Sequence, residues 1–153
     1  MKVRRIVSSW VPVIAWMLLI FVGSSDVLSA EHTSRFIVPF LRWLDPHISY
    51  ATIAAVHLVI RKLGHVTEYA ILAALLWRAL RGTFLTFSLT IVAFGTFLIT
   101  AAFAASDEFH QSFVMSRTAS PHDVLIDCVG VACAILVCTA FAARRERLPA
   151  RQS

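Results

Sequence analysis

Long apolar runs separated by short polar stretches dominate this chain. Four runs cover residues 6–22, 61–80, 84–106 and 123–143, and Tyr50 begins a helical lead-in to the second. A helix needs about 20 residues to cross the hydrocarbon core of a bilayer, so all four can span, the first with the least margin. The pattern predicts an all-α integral membrane protein, a four-helix bundle in one domain over residues 1–153.

The composition supports a membrane protein. Apolar residues make up 58% of the chain and charged residues 15%, with a mean hydropathy of +0.75. A typical soluble domain has about 45–50% apolar and about 25% charged residues.

Charge is distributed unevenly between the two sides of the predicted bundle. With both termini inside, the inner side holds nine of the 14 Lys and Arg residues, and the outer side holds eight of the nine acids. Cytoplasmic flanks are rich in Lys and Arg, so we predict an N-in, C-in topology. The net charge of +5 and pI of 9.7 then reflect topology, and we expect no nucleic-acid partner. The inner cations are Lys2, Arg4, Arg5, Arg78, Arg81, Arg144, Arg145, Arg147 and Arg151.

The first run has an alternative interpretation as a signal peptide, because it has a basic start and a short apolar core. The segment Leu28-Ser29-Ala30 places Leu where a cleavage site needs a small residue, so an uncleaved anchor is favoured. The long outer loop that follows, Gly23–Ile60, contains the apolar segment Phe36–Leu44. This segment is too short to span and is predicted to lie in the headgroup zone, with a lid over an outer site as the alternative.

Ionisable side chains interrupt the apolar runs near their outer ends. A charge at the bilayer centre costs roughly 2.5–3.5 kcal/mol on insertion scales, so such groups are expected to face each other or water. Helical spacing places them on shared faces within each run, and short connections would bring the runs together. The predicted cluster contains Lys62, His65, Glu68, Tyr69, Asp107, Glu108, Gln111, Arg117, Asp123 and Asp127.

Three interpretations of this cluster stay open. It is a set of polar contacts that hold the helices together. It is a divalent-metal site formed by His65, Glu68, Asp107, Glu108 and Asp127, in which His65 and Glu68 share one helix face. Or Lys62, His65 and Arg117 bind an anion such as a lipid phosphate, while the carboxylates act as bases. Asp123 has a further explanation as a helix-capping residue after Ser120-Pro121.

Three ordered motifs are similar to those of the VanZ-like family of bacterial membrane proteins. They are RKLGHVTEYAIL at residues 61–72, SDEFHQSFVMSRT at 106–118 and DVLIDCVG at 123–130. The resemblance covers most of the chain and picks out the cluster residues together with Gly130. Many members of the family have Asn where this chain has Asp127, which weakens a metal-ligand role for that position.

The resemblance implies a multi-pass protein of the bacterial cytoplasmic membrane. The family's namesake is associated with low-level resistance to the glycopeptide teicoplanin, so a role in the cell envelope is expected. The partner would be membrane lipid or a lipid-linked or amphiphilic envelope substrate. The alternatives are an enzyme acting on a lipid-linked phosphate, which could depend on a metal, and a purely structural cluster. The sequence does not determine the reaction, any cofactor or the oligomeric state.

Overall fold

The computed structural model describes residues 2–24, 30–114 and 120–147, with side chains from Arg4 and, after the first gap, from Ser34. Within these ranges the chain is entirely helical and contains no strand. The helices are α1 (Lys2–Ser24), α2 (Ala30–Leu44), α3 (Tyr50–Thr83), α4 (Leu89–Gln111) and α5 (Pro121–Arg147).

Local capping chemistry sets the starts of the helices. Ser49 and Ser88 accept hydrogen bonds from the backbone N–H groups of Thr52 and Ile91, which satisfies donors that a helix start leaves free. Pro121 occupies the first position of α5, where its missing N–H has no consequence, and the Ser120 hydroxyl accepts from the His122 backbone N–H at 3.2 Å. These caps fix where α3, α4 and α5 begin.

One predicted boundary needs correction. The helix formed by the third apolar run, α4, begins at Leu89 rather than Phe84. The chain turns at residues 84–88 before the Ser88 cap. The apolar segment Phe36–Leu44 belongs to a longer helix, α2. The lead-in from Tyr50 is helical, as predicted, and α4 continues through Asp107, Glu108 and Gln111.

Helix α3 is the centre of the molecule, since it packs against each of the other four helices. Helix α4 packs against α5 and, more lightly, α1. The core consists of apolar side chains along the inward faces, among them Leu72 and Leu76 of α3, Val92 of α4 and Val131 of α5.

Gly130 of α5 lies directly against the backbone of α3. A Cβ atom at Gly130 would lie 2.3 Å from the carbonyl oxygen of Val66 and 3.1 Å from the Val66 Cα. Only a residue without a side chain permits this approach, as at the small-residue contacts of membrane helices. The contact brings the start of α5 against the part of α3 that carries His65.

Three helices are long and apolar enough to cross a membrane: Arg4–Ser24, Leu89–Gln111 and Pro121–Arg147. The prediction of a spanning segment is confirmed by length and composition for these three. Helix α3 is not among them, because its apolar stretch also carries His65, Glu68 and Arg78. A fourth crossing by α3 therefore stays a prediction.

Replacing Gly130 with Ala should destabilise the protein by about 1–3 kcal/mol, because the added methyl group overlaps the α3 backbone. Gly64→Ala is the matched control, since a Cβ at this helical position meets nothing within 4 Å. The control should leave stability unchanged or raise it by up to about 1 kcal/mol through helix propensity. Thermal unfolding in detergent, followed by tryptophan fluorescence, compares the two variants; equal midpoints would contradict the close contact.

Candidate functional site

One carboxylate oxygen, Asp107 Oδ2, collects hydrogen bonds from three helices. Ser24 Oγ of α1 donates at 2.7 Å, Tyr69 Oη of α3 at 3.2 Å and Gln111 Nε2 of α4 at 3.0 Å. All four side chains are buried, with Asp107 only 3% exposed. A buried carboxylate is tolerated when donors replace its hydration, and three donors at one oxygen do this. We call these four residues the Asp107 hub.

The position of Asp107 follows from a continuous buried stripe on α4. Thr96, Thr100, Ala104, Asp107 and Gln111 recur at intervals of three or four residues and are all buried. This spacing defines one helix face, directed at the other helices. The stripe is polar throughout except at Ala104, so the hub lies at one end of a longer polar seam.

Two ion-pair contacts connect α3 to α5 beside the hub. His65 Nδ1 lies 3.3 Å from Asp127 Oδ1, and Arg61 Nη2 lies 3.3 Å from Asp123 Oδ2. The first contact is almost fully buried, whereas the second is partly open to solvent. The two α3 residues are four positions apart, and so are the two α5 residues. The contacts therefore lie about one helical turn apart along the α3–α5 interface.

Glu108 occupies a different position from Asp107 although it is adjacent in sequence. Its Oε1 accepts a hydrogen bond from the Ser120 backbone N–H, just before α5 begins. The side chain is 6% exposed. Glu108 therefore connects the end of α4 to the start of α5, next to the Arg61–Asp123 pair.

Several acceptors of this cluster stay unfilled. Asp107 Oδ1, Glu108 Oε2 and Gln111 Oε1 are buried and have no hydrogen-bond partner within the described ranges. Buried acceptors of this kind are uncommon in native structures and each calls for an explanation. The three atoms belong to a single turn of α4.

The structure brings together most, but not all, of the site residues predicted from sequence. His65, Asp107, Glu108, Gln111, Asp123 and Asp127 lie in the contacts described above. Lys62 is exposed and forms no hydrogen bond or ion pair with a described residue, and Glu68 is half-buried one turn further along α3 than His65. Arg117 lies outside the described residues. Asp123 is paired with Arg61, so it does more than cap α5.

The described residues place no three His, Cys, Asp or Glu side chains where they could hold a metal ion. The geometry thus adds no support for a metal at His65, Glu68, Asp107, Glu108 and Asp127, and that site stays a prediction.

Sequence analysis missed two participants from α1. Ser24 donates to Asp107, and Trp16 Nε1 donates to the backbone carbonyl of Glu68 at 2.9 Å. Ser24 ends α1 after a long apolar run, and one serine at such an end gives little signal in a single sequence. The tryptophan bond holds α1 against α3 at the depth of the cluster.

The fold and the cluster define a class: a helical protein of membrane type whose buried polar site lies where α1 and α4 end and α5 begins. Comparison with protein families agrees with this class. Residues 9–142 match the family model described as VanZ/LLP1, and the chain belongs to this family. The resemblance inferred from the three motifs is thereby confirmed. No curated protein and no solved structure matches the chain.

The Asp107 hub should contribute strongly to stability. Tyr69→Phe removes one of three donors and should cost about 1 kcal/mol. Asp107→Ala leaves three donors without their acceptor and should cost at least about 3 kcal/mol, since each unsatisfied buried donor is worth about 1–3 kcal/mol. Thermal midpoints of the purified variants test this order, and a Tyr69→Phe loss as large as that of Asp107→Ala would contradict it.

The effects of substituting His65 and Asp127 on the free energy of unfolding should depend strongly on each other. His65→Leu leaves a carboxylate that is 1% exposed without its partner, which typically costs about 3–5 kcal/mol. Replacing both residues with Leu removes the stranded charge, so the double variant should be more stable than either single variant. A double-mutant cycle on thermal stability measures the coupling; additive losses would show that the two side chains do not depend on each other.

Proposed function

We propose that this chain is a multi-pass protein of a bacterial cytoplasmic membrane, with α3 as its fourth spanning segment. Its buried polar cluster faces the outer surface and binds a lipid-linked or amphiphilic compound of the cell envelope. The observation that carries the proposal is the Asp107 hub, in which three helices contribute donors to one buried carboxylate. Ionisable groups inside membrane helices are expensive and usually mark a functional site.

The charge distribution supports the outward orientation. Helix α1 begins with Lys2, Arg4 and Arg5, and α5 ends with Arg144, Arg145 and Arg147. Because these two ends lie opposite the cluster along their helices, the positive-inside rule assigns them to the cytoplasm and the cluster to the other side. The Arg81–Glu146 pair, with atoms 3.3 Å apart, connects α3 to α5 at the same basic end.

The family suggests a role in tolerance to glycopeptide antibiotics of the teicoplanin type. The proposed topology puts the cluster at the outer face of the membrane. Binding an amphiphile there would connect the site to the phenotype.

Expression of the chain in a glycopeptide-susceptible bacterium should raise the minimum inhibitory concentration of teicoplanin, and Asp107→Asn should abolish this effect. Asn keeps the size of the side chain but removes its charge. Glu146→Gln is the matched control, because it makes the same change at the basic end, where Glu146 is exposed. Membrane abundance and thermal midpoint are measured for each variant.

A phenotype retained in a folded Asp107→Asn variant would refute the assignment of the site. Unchanged teicoplanin and detergent sensitivity with the wild-type chain, and after deletion of the native gene, would refute the envelope role itself.

A structural role is the second candidate, because the Arg61–Asp123 and His65–Asp127 contacts of the cluster join α3 to α5. It predicts that Asp107→Asn and Asp127→Asn lose stability and phenotype together. Loss of the phenotype with normal stability would exclude it. The remaining interpretation, an enzyme that acts on a lipid-linked phosphate, gains no support from Lys62, which lies exposed and apart from the cluster.

A further inference from the structure

Asp107 and Glu108 form no ion pair with a described residue, unlike Asp123 and Asp127. Asp123 is paired with Arg61 and Asp127 with His65, whereas no described Lys, Arg or His lies within ion-pair distance of Asp107 or Glu108. Both side chains are more than nine-tenths buried. Two adjacent buried carboxylates without an ion-pair partner are costly, so a cationic group from outside the described residues would be favoured there.

The unfilled acceptors indicate what kind of cation fits. Asp107 Oδ1, Glu108 Oε2 and Gln111 Oε1 each lack a hydrogen-bond donor among the described residues. The Gln111 amide donates directly to Asp107, so its free oxygen belongs to the same polar group. A primary ammonium has three N–H donors, one positive charge and no acceptor, which matches three acceptors and an unbalanced negative charge.

A divalent metal fits this turn less well. Calcium takes about six to eight oxygen ligands, and magnesium requires near-octahedral coordination. The turn offers three free oxygens, and the described residues contain no group of three His, Cys, Asp or Glu side chains suited to a metal.

The end of a helix favours a cation through its exposed carbonyl groups, and α4 ends at Gln111.

Aromatic side chains at the same helix end indicate an amphiphile. Phe109 and Phe113 pack edge to face, with ring centroids 5.1 Å apart, and are 68% and 72% exposed. Phe21 of α1 stacks on His110 with centroids 4.3 Å apart. An apolar chain that lies against this exposed aromatic surface would leave its headgroup at the end of α4, the turn that carries the buried acceptors.

We propose that the last turn of α4 binds the primary ammonium group of an amphiphile, through Asp107, Glu108 and Gln111. This inference rests on the proposed function, because it names the chemical class of the compound bound at the same site. The ammonium could belong to a lipid headgroup or to a soluble amine, and the experiment distinguishes the two.

The test compares ligands on the wild-type protein. Full-length protein in detergent is titrated with phosphatidylethanolamine, with phosphatidylcholine or with soluble phosphoethanolamine, and the thermal midpoint is recorded. Phosphatidylcholine keeps the positive charge but has no N–H donor. We expect phosphatidylethanolamine to raise the midpoint more than phosphatidylcholine. Stabilisation by phosphoethanolamine as well would identify the free amine as sufficient, and its absence would identify a lipid headgroup.

Variants localise the effect. Glu108→Gln should weaken phosphatidylethanolamine binding at least about tenfold, as expected for a lost hydrogen bond to a charged group. Glu146→Gln, the control at the other end of the molecule, should bind as the wild type does. Equal responses to the two lipids would overturn the proposal, and so would undiminished binding by Glu108→Gln. A preference that appears only after Arg117→Ala would also overturn it, because the chain's own cation would then fill the site.

This experiment and the resistance assay can fail separately. Phosphatidylethanolamine and phosphatidylcholine could raise the thermal midpoint equally while the resistance phenotype still depends on Asp107. That result would overturn the ammonium site and leave the envelope role intact. A clear preference for the primary ammonium without any envelope phenotype would support the ammonium site and overturn the envelope role.

Discussion

A carboxylate buried in a helical protein of membrane type must obtain from the protein the hydrogen bonds that water would otherwise give it. Asp107 meets this requirement with donors from α1, α3 and α4, all directed at one oxygen. The need constrains three helices at once: α1 must end at Ser24, α3 must present Tyr69, and α4 must continue as far as Gln111. The arrangement of the cluster end of the molecule follows from these positions.

A second constraint acts between α3 and α5. Gly130 lets the backbone of α5 touch that of α3 at Val66, and the neighbouring positions His65 and Asp127 then lie within 3.3 Å. A larger residue at 130 would separate the helices and leave a buried carboxylate without its partner. Packing and electrostatics therefore support the same interface, and a defect in either is expected to weaken the other.

The cluster is not uniform. In its α3–α5 part, basic and acidic side chains lie in contact, although His65 Nδ1 and Asp127 Oδ1 form no hydrogen bond there. The last turn of α4 keeps three buried acceptors unfilled and forms no ion pair among the described residues. Paired charges mainly hold helices together, while unfilled acceptors suit a ligand that brings its own donors. The structural and the binding interpretations thus apply to different parts of one cluster, and substitutions in the two parts should have different effects.

The sequence by itself determined the helical class, three helices apolar enough to span a membrane and the family, because apolar runs and motif spacing are local properties of the chain. Helical spacing also identified Asp107, Gln111, His65 and Asp127 as inward-facing. Tertiary structure decided the partners: Ser24 joins Asp107 from 83 residues away, and Asp123 pairs with Arg61 across helices. It also separated exposed Lys62 from the cluster and moved the start of α4 to Leu89. Such outcomes depend on the distances between helices, and one-dimensional periodicity carries no information about those distances.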